Sequence, residues 1–175
     1  MSALPLNIDY ERLIRGYVKL ATGLPNVIPG NYKAPRPSAE YATVTPISNK
    51  KLGFSSYCSL YNEQTDDITY TTSSTNVKKF SVQIYSLNSH DLAECLPQFF
   101  ETPVGEYYLV MNGLSVIDWS DARQTDFVTD GQYEKRSTVE LTFVVTKNIT
   151  QTIQNLESAE ILTKIGELTE KIIAQ

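Results

Sequence analysis

The chain has 175 residues, 41% of them hydrophobic and 20% charged, with a net charge of −5: enough for one domain burying about 70% of its unfolded surface, and too balanced for wholesale disorder or a fibrous repeat. Its pI near 4.9 argues against an electrostatic grip on nucleic acid or an anionic membrane, both of which require basic patches. No apolar run approaches the ~20 residues that span a bilayer, and the opening MSALPLNIDYERL has no basic-then-apolar leader, so a soluble, unexported protein is expected.

Taken in order, Tyr10, Leu13, Ile14, Tyr17, Val18 and Ala21 recur at helical spacing, behind Asn7 or Asp9 as N-cap candidates and ahead of Gly23, which predicts a punctuated N-terminal helix. Residues 24–38 carry Pro25, Pro29, Gly30, Pro35 and Pro37, so they are expected to form an extended arm or loop, not a helix or central strand. Glu40 to Ile47 and Leu52 to Tyr61 read as two strands joined through Asn49, Lys50 and Lys51. In the second, Phe54, Cys58 and Leu60 share one face, Tyr57 and Tyr61 the other.

The stretch from Val77 to Thr146 is the expected core. Phe80, Val82 and Ile84 alternate with polar residues, as do Val139, Leu141, Phe143 and Val145, the period of a sheet with one buried face. Between them Leu92, Cys95, Leu96, Phe99 and Phe100 form a helical stripe. Pro97 predicts a kink or early end to that helix, and Pro103 a stop. Glu106 to Met111 reads as a strand turning at Asn112-Gly113 into Leu114 to Ile117, then an acidic loop through Asp118, Asp121, Asp126 and Asp130. From Ile153 the apolar residues, among them Ile161, Leu162, Ile165, Leu168, Ile172 and Ile173, predict a C-terminal amphipathic helix. The fold class is therefore α+β: a mostly antiparallel sheet of about four to six strands flanked by N-terminal, central and C-terminal helices. Residues 1–148, with the arm at 24–38, form the domain and 149–175 the terminal helix.

No reaction chemistry emerges. His90, the single histidine, stands among helix-start residues without partners for acid–base or metal work. The acidic loop lacks the alternating spacing of a calcium-binding loop, and Gly105, Gly113 and Gly131 are isolated turn glycines, not a phosphate cradle. Cys58 and Cys95 show no ligand or redox spacing and are expected as buried free thiols. No cofactor, metal or enzymatic activity is expected. Eleven tyrosines suit strands and partner-facing surfaces alike.

The order of elements carries a resemblance. An amphipathic N-terminal helix, Pro35-Arg36-Pro37 entering Tyr41-Ala42-Thr43-Val44, the run Phe80 to Tyr85 leading into a helix, and Tyr133-Glu134-Lys135-Arg136 leading into Val139 to Phe143 together resemble the phage neck or tail terminator family over roughly residues 5–147. The C-terminal segment lies beyond the match. The resemblance implies a virion structural protein of the tail and neck, assembled in the host cytoplasm. It implies a hexameric ring at the head-proximal end of the tail that stops tube polymerisation and joins the neck connector. Its expected partners are further copies of itself, the tail tube protein, a head-completion or stopper protein and, in a contractile tail, sheath. DNA would pass without sequence-specific binding, with no membrane involved. Candidate subunit contacts on this reading are Tyr32, Arg36, Tyr41, Tyr57, Tyr61, Tyr133 and Arg136, with Leu162, Ile165, Leu168 and Ile172 of the C-terminal segment. Asp118, Asp121, Asp126 and Asp130 would face the lumen or a partner. The alternatives are another phage connector, minor tail or baseplate component, or a small-molecule-binding or enzymatic α+β domain.

Overall fold

The protein's structure, a computed structural model, describes residues 9–31, 33, 35–64, 67–129, 132–154, 159–165 and 168–174. Helix α1 spans Tyr10–Thr22. The Asp9 carboxylate accepts from the Arg12 amide at 3.0 Å, and Gly23 in the left-handed region (φ 68°) returns its N–H to the Lys19 carbonyl, so both ends carry the caps their residues favour. Strand β1 (Asn26–Pro29) runs parallel to the start of β2 (Tyr41–Asn62). Part of the proline-rich segment is thus a short edge strand, the one sheet position its prolines permit.

Strand β2 runs unbroken through Asn49 to Lys51, where a hairpin was expected; Gly53, at φ 65°, absorbs the local irregularity. Strand β3 (Asp67–Tyr85) is equally continuous. Helix α2 (Ser89–Phe99) retains Pro97 in its last turn. The expected strand at 106–111 is instead helix α3, Pro103–Met111: the Thr102 hydroxyl accepts from the Gly105 amide at 3.1 Å and Pro103 opens the first turn, where its missing N–H costs nothing. Gly113 (φ 63°) turns the chain into β4, Leu114–Trp119. Then follow β5 (Arg123–Gln124), β6 (Phe127–Thr129), β7 (Gln132–Glu134) and β8 (Arg136–Gln154).

The principal sheet is mixed but mostly antiparallel, in the order β1-β2-β3-β8-β4, with β5 also paired to β8. The described C-terminal residues form strands where a helix was expected. β9 (Ala159–Ile165) and β10 (Leu168–Ala174) pair antiparallel, from Leu168 against Ile165 to Ala174 against Ala159. Ile161, Thr163, Ile165, Thr169, Ile172 and Ile173 are β-branched, and that residue class favours a pleated surface over a helix; the apolar spacing alone did not separate the two.

Two compact units partition the chain, one of residues 6–55 and 74–147, the other including 56–73 and the chain from 148 onward. The first holds the core: Phe80, Val82 and Ile84 of β3, Val139, Leu141, Phe143 and Val145 of β8, Ala42 and Val44 of β2, against Ile14, Tyr17 and Val18 of α1, Ala93 and Leu96 of α2 and Leu109 of α3. The Phe143 ring meets Phe80 and Phe100 edge-on at 6.1 and 6.2 Å, a favoured aromatic geometry. Tyr17 stacks on Phe100 at 4.9 Å and donates its hydroxyl to the Leu96 carbonyl at 2.7 Å. Gly16 leaves room for the Tyr108 hydroxyl, which donates to the Leu13 carbonyl at 2.8 Å and ties α3 to α1. In the second unit Thr69 meets Thr152 and Thr71 meets Thr150 across β3 and β8, at 3.5 and 3.3 Å.

Candidate interaction surfaces

A junction of charges and aromatic rings gathers where the proline-rich segment enters β2 and where β8 begins. Arg36 pairs with Glu134 at 2.9 Å; Tyr41 and Glu134 beside it hold the guanidinium pKa above its ordinary value. Tyr41 stacks on Tyr85 with ring centres 4.4 Å apart. Burial, followed by the nearby Glu134 carboxylate, pushes the Tyr41 phenol up to about 12. The Arg136 guanidinium lies 6.0 Å from the Tyr85 ring and 5.9 Å from that of Phe127, within cation–π range, and donates through Nε to the Thr125 carbonyl at 3.0 Å. Asp126 organises the turn opposite. Its carboxylate accepts from the Tyr133 hydroxyl, from the Arg136 amide at 2.9 Å and from Gln124 Nε2 at 2.7 Å. Those bonds, Tyr133's foremost, hold its pKa below the usual carboxylate range and raise that of Tyr133.

Elsewhere large apolar side chains stand exposed on several elements. Along β2, Phe54 is 100% exposed, Tyr57 81% and Leu60 70%. On α3 and β4, Val104, Tyr107, Val110, Met111 and Ile117 are all more than half exposed.

The phage neck terminator family matches residues 9–167, which is most of the chain. The chain belongs to the phage neck terminator family. None of the curated proteins compared with it matches. Membership gives the chain a structural role in the phage neck. Among the described residues no three His, Cys, Asp or Glu side chains gather as a metal site, and His90 pairs with Glu94 one helical turn away at 3.3 Å. No described helix is long and apolar enough to cross a membrane.

For this neck terminator the structure places the sequence-selected residues as follows. Arg36, Tyr41, Tyr133 and Arg136 come together at the junction just described, Tyr41 only 5% exposed and its ring occupied by Tyr85 of the same chain. Tyr57 and Tyr61 are exposed on β2. Leu162 and Ile165 lie on β9, Leu168 and Ile172 on β10. Asp118 precedes Trp119, the last residue of β4, and Asp121 is exposed after it; Asp126 is committed to Tyr133 and Arg136. Tyr32 and Asp130 lie outside the described residues. Both cysteines, expected to be buried, are exposed: Cys95 points away from the α2 face that buries Ala93 and Leu96, and Cys58 sits on the uncovered part of β2. Reasoning from the sequence missed the α3 surface altogether, because its residues were assigned to a strand. Thr102 as N-cap before Pro103 was the available signal.

Proposed function

We propose that this chain is the tail terminator itself: a subunit that closes into a hexameric ring at the head-proximal end of a phage tail. The ring stops further tube polymerisation and joins the tail to the head-completion or stopper protein around a channel for DNA. One face meets the last ring of tube protein and, in a contractile tail, sheath. The observation that supports this reading, beyond family membership, is the exposure of large apolar side chains on two different elements, Phe54 of β2 and Tyr107, Val110 and Met111 of α3. A closed ring of identical subunits requires two different patches per copy, each complementary to the other. The net charge of −5 suits a duct past which DNA slides, since it disfavours lasting phosphate contacts.

Light scattering on the purified protein over a range of salt and concentration, followed by negative-stain imaging, tests the proposal. An annulus of six copies, free or on the ends of purified tail tubes, is expected. A monomer that neither binds nor caps tubes would overturn the reading.

A further inference from the structure

The polar faces of α1 and α2 carry opposite charges at the same spacing. On α1, Arg12, Arg15 and Lys19 fall at i, i+3 and i+7, which sets them in one stripe along the helix. That stripe lies away from Ile14, Tyr17 and Val18, the residues α1 buries. On α2, Asp91, Glu94 and Gln98 repeat the spacing on the side away from Ala93 and Leu96, and Glu101 stands exposed in the turn beyond. Seven residues at the rise of a helix make each stripe about 10 Å long.

Both helices belong to one compact unit, where the Tyr17 hydroxyl of α1 donates to the Leu96 carbonyl of α2. Their charged stripes do not meet there. Among the described residues no ion pair joins α1 to α2, and Arg12, Lys19, Asp91 and Glu101 make none at all. Arg15 lies 4.0 Å from Glu11, and Glu94 lies 3.3 Å from His90, each one turn away on its own helix. Exposed pairs of this kind hold little free energy, so neither commits its stripe.

We infer that the basic stripe on α1 of one subunit lies against the acidic stripe on α2 of the next. The inference rests on the ring proposed above and names one of its contacts. Charge complementarity singles out a second copy as the occupant. The α1 stripe requires an acidic surface and the α2 stripe a basic one, and each copy carries both, matched in spacing and length. Copies set head to tail satisfy the two stripes with a single repeated contact, the mode that yields a ring when its rotation closes. In a chain of net charge −5, whose copies repel one another overall, the basic stripe also selects the side that an approaching copy meets.

Charge reversal in the full-length protein tests the contact. One variant carries Arg12→Glu with Lys19→Glu, the other Glu94→Lys with Glu101→Lys. These side chains are exposed, and an unchanged urea midpoint checks that each variant folds. Each variant alone is expected to associate at least about tenfold more weakly than the unaltered protein at low salt, because like charges then face each other. Equal amounts of the two are expected to restore rings of alternating subunits, free or on tail tubes, since each offers the other an opposite charge. Should a reversal unfold the chain, Arg12→Gln with Lys19→Gln reads the same contact as a smaller dependence of association on salt. Either folded variant associating like the unaltered protein overturns the contact, as does a mixture that stays apart or stops at dimers. An α1 variant that forms rings yet no longer caps tubes gives the basic stripe to the tube protein instead. Rings that survive both reversals leave the terminator reading standing and remove only this contact. Failure of the unaltered protein to form a ring or cap a tube removes the reading, and the contact with it.

Discussion

Phe143 and Phe54 stand on long strands of one sheet, each within a stretch of alternating residues, yet Phe143 is fully buried and Phe54 fully exposed. Alternation sets which side chains share a face of a strand; it does not supply the layer that covers that face. Around Phe143 the layer exists, because α1, α2 and α3 present Tyr17, Leu96, Phe100 and Leu109 to the sheet. Along β2 from Pro46 to Asn62 every residue but Ser55 is exposed. A sheet becomes core only where a second layer lies on it, so the same pattern yields stability in one region and available surface in the other.

The largest expected effect comes from emptying the covered region. Phe143→Ala removes a ring packed edge-on against two others and is expected to cost about 3–5 kcal/mol, read as a lower urea midpoint. A loss below about 1 kcal/mol would mean that the helices do not cover the sheet as described. Tyr17→Phe keeps the ring and deletes one hydroxyl. In the last turn of α2 the Phe100 amide bonds back to Pro97 and Gln98, and Leu96 receives the Tyr17 hydroxyl at 2.7 Å. Leaving that buried carbonyl unpaired is expected to cost about 1–3 kcal/mol.

This helix-end contact illustrates what a one-dimensional reading reaches. The caps of α1 and the buried alternation in β3 and β8 are local or periodic, so Asp9, Gly23 and the run Val139 to Val145 announce themselves. The Tyr17–Leu96 bond spans 79 positions and the Arg36–Glu134 bond 98, and nothing in either neighbourhood names its partner. Tyr133 and Arg136 stood out as the approach to the last strand, and β8 does begin at Arg136. Asp126, which holds both, looked like one more solvated carboxylate. Glu106 to Met111 failed for another reason: Tyr107, Tyr108 and Val110 favour strands, and only the Thr102–Pro103 start reveals the helix. The C-terminal residues failed in the opposite sense, their helical spacing outweighed by β-branched content.

The junction permits a sharper test of covering than truncation does. Tyr41 is pushed up to about 12, above the ordinary phenol value near 10. The folded state therefore holds the proton more tightly than the unfolded one. Its contribution to stability is complete below about pH 10 and is lost as pH rises toward 12. Tyr41→Phe, which keeps the stack on Tyr85, is expected to flatten part of that alkaline decline in a series of urea melts. An unchanged decline would show that Tyr41 is open to water and that the junction is no better covered than β2.

The smallest expected effect on stability belongs to the residue that began the comparison. Phe54→Ser exchanges a fully exposed ring for a small hydroxyl and removes no contact that burial would have made favourable. The urea midpoint of the monomer is expected to move by no more than about 0.5 kcal/mol in free-energy terms. The same substitution is expected to weaken association measured by light scattering at matched concentration, because an apolar side chain that stabilises nothing within its own chain gains its burial only against another. A stability loss as large as that of Phe143→Ala would place Phe54 under cover within the subunit and erase the distinction between the two strands. Unchanged association would separate exposure from contact and shift the search for the ring interface to the apolar face of α3.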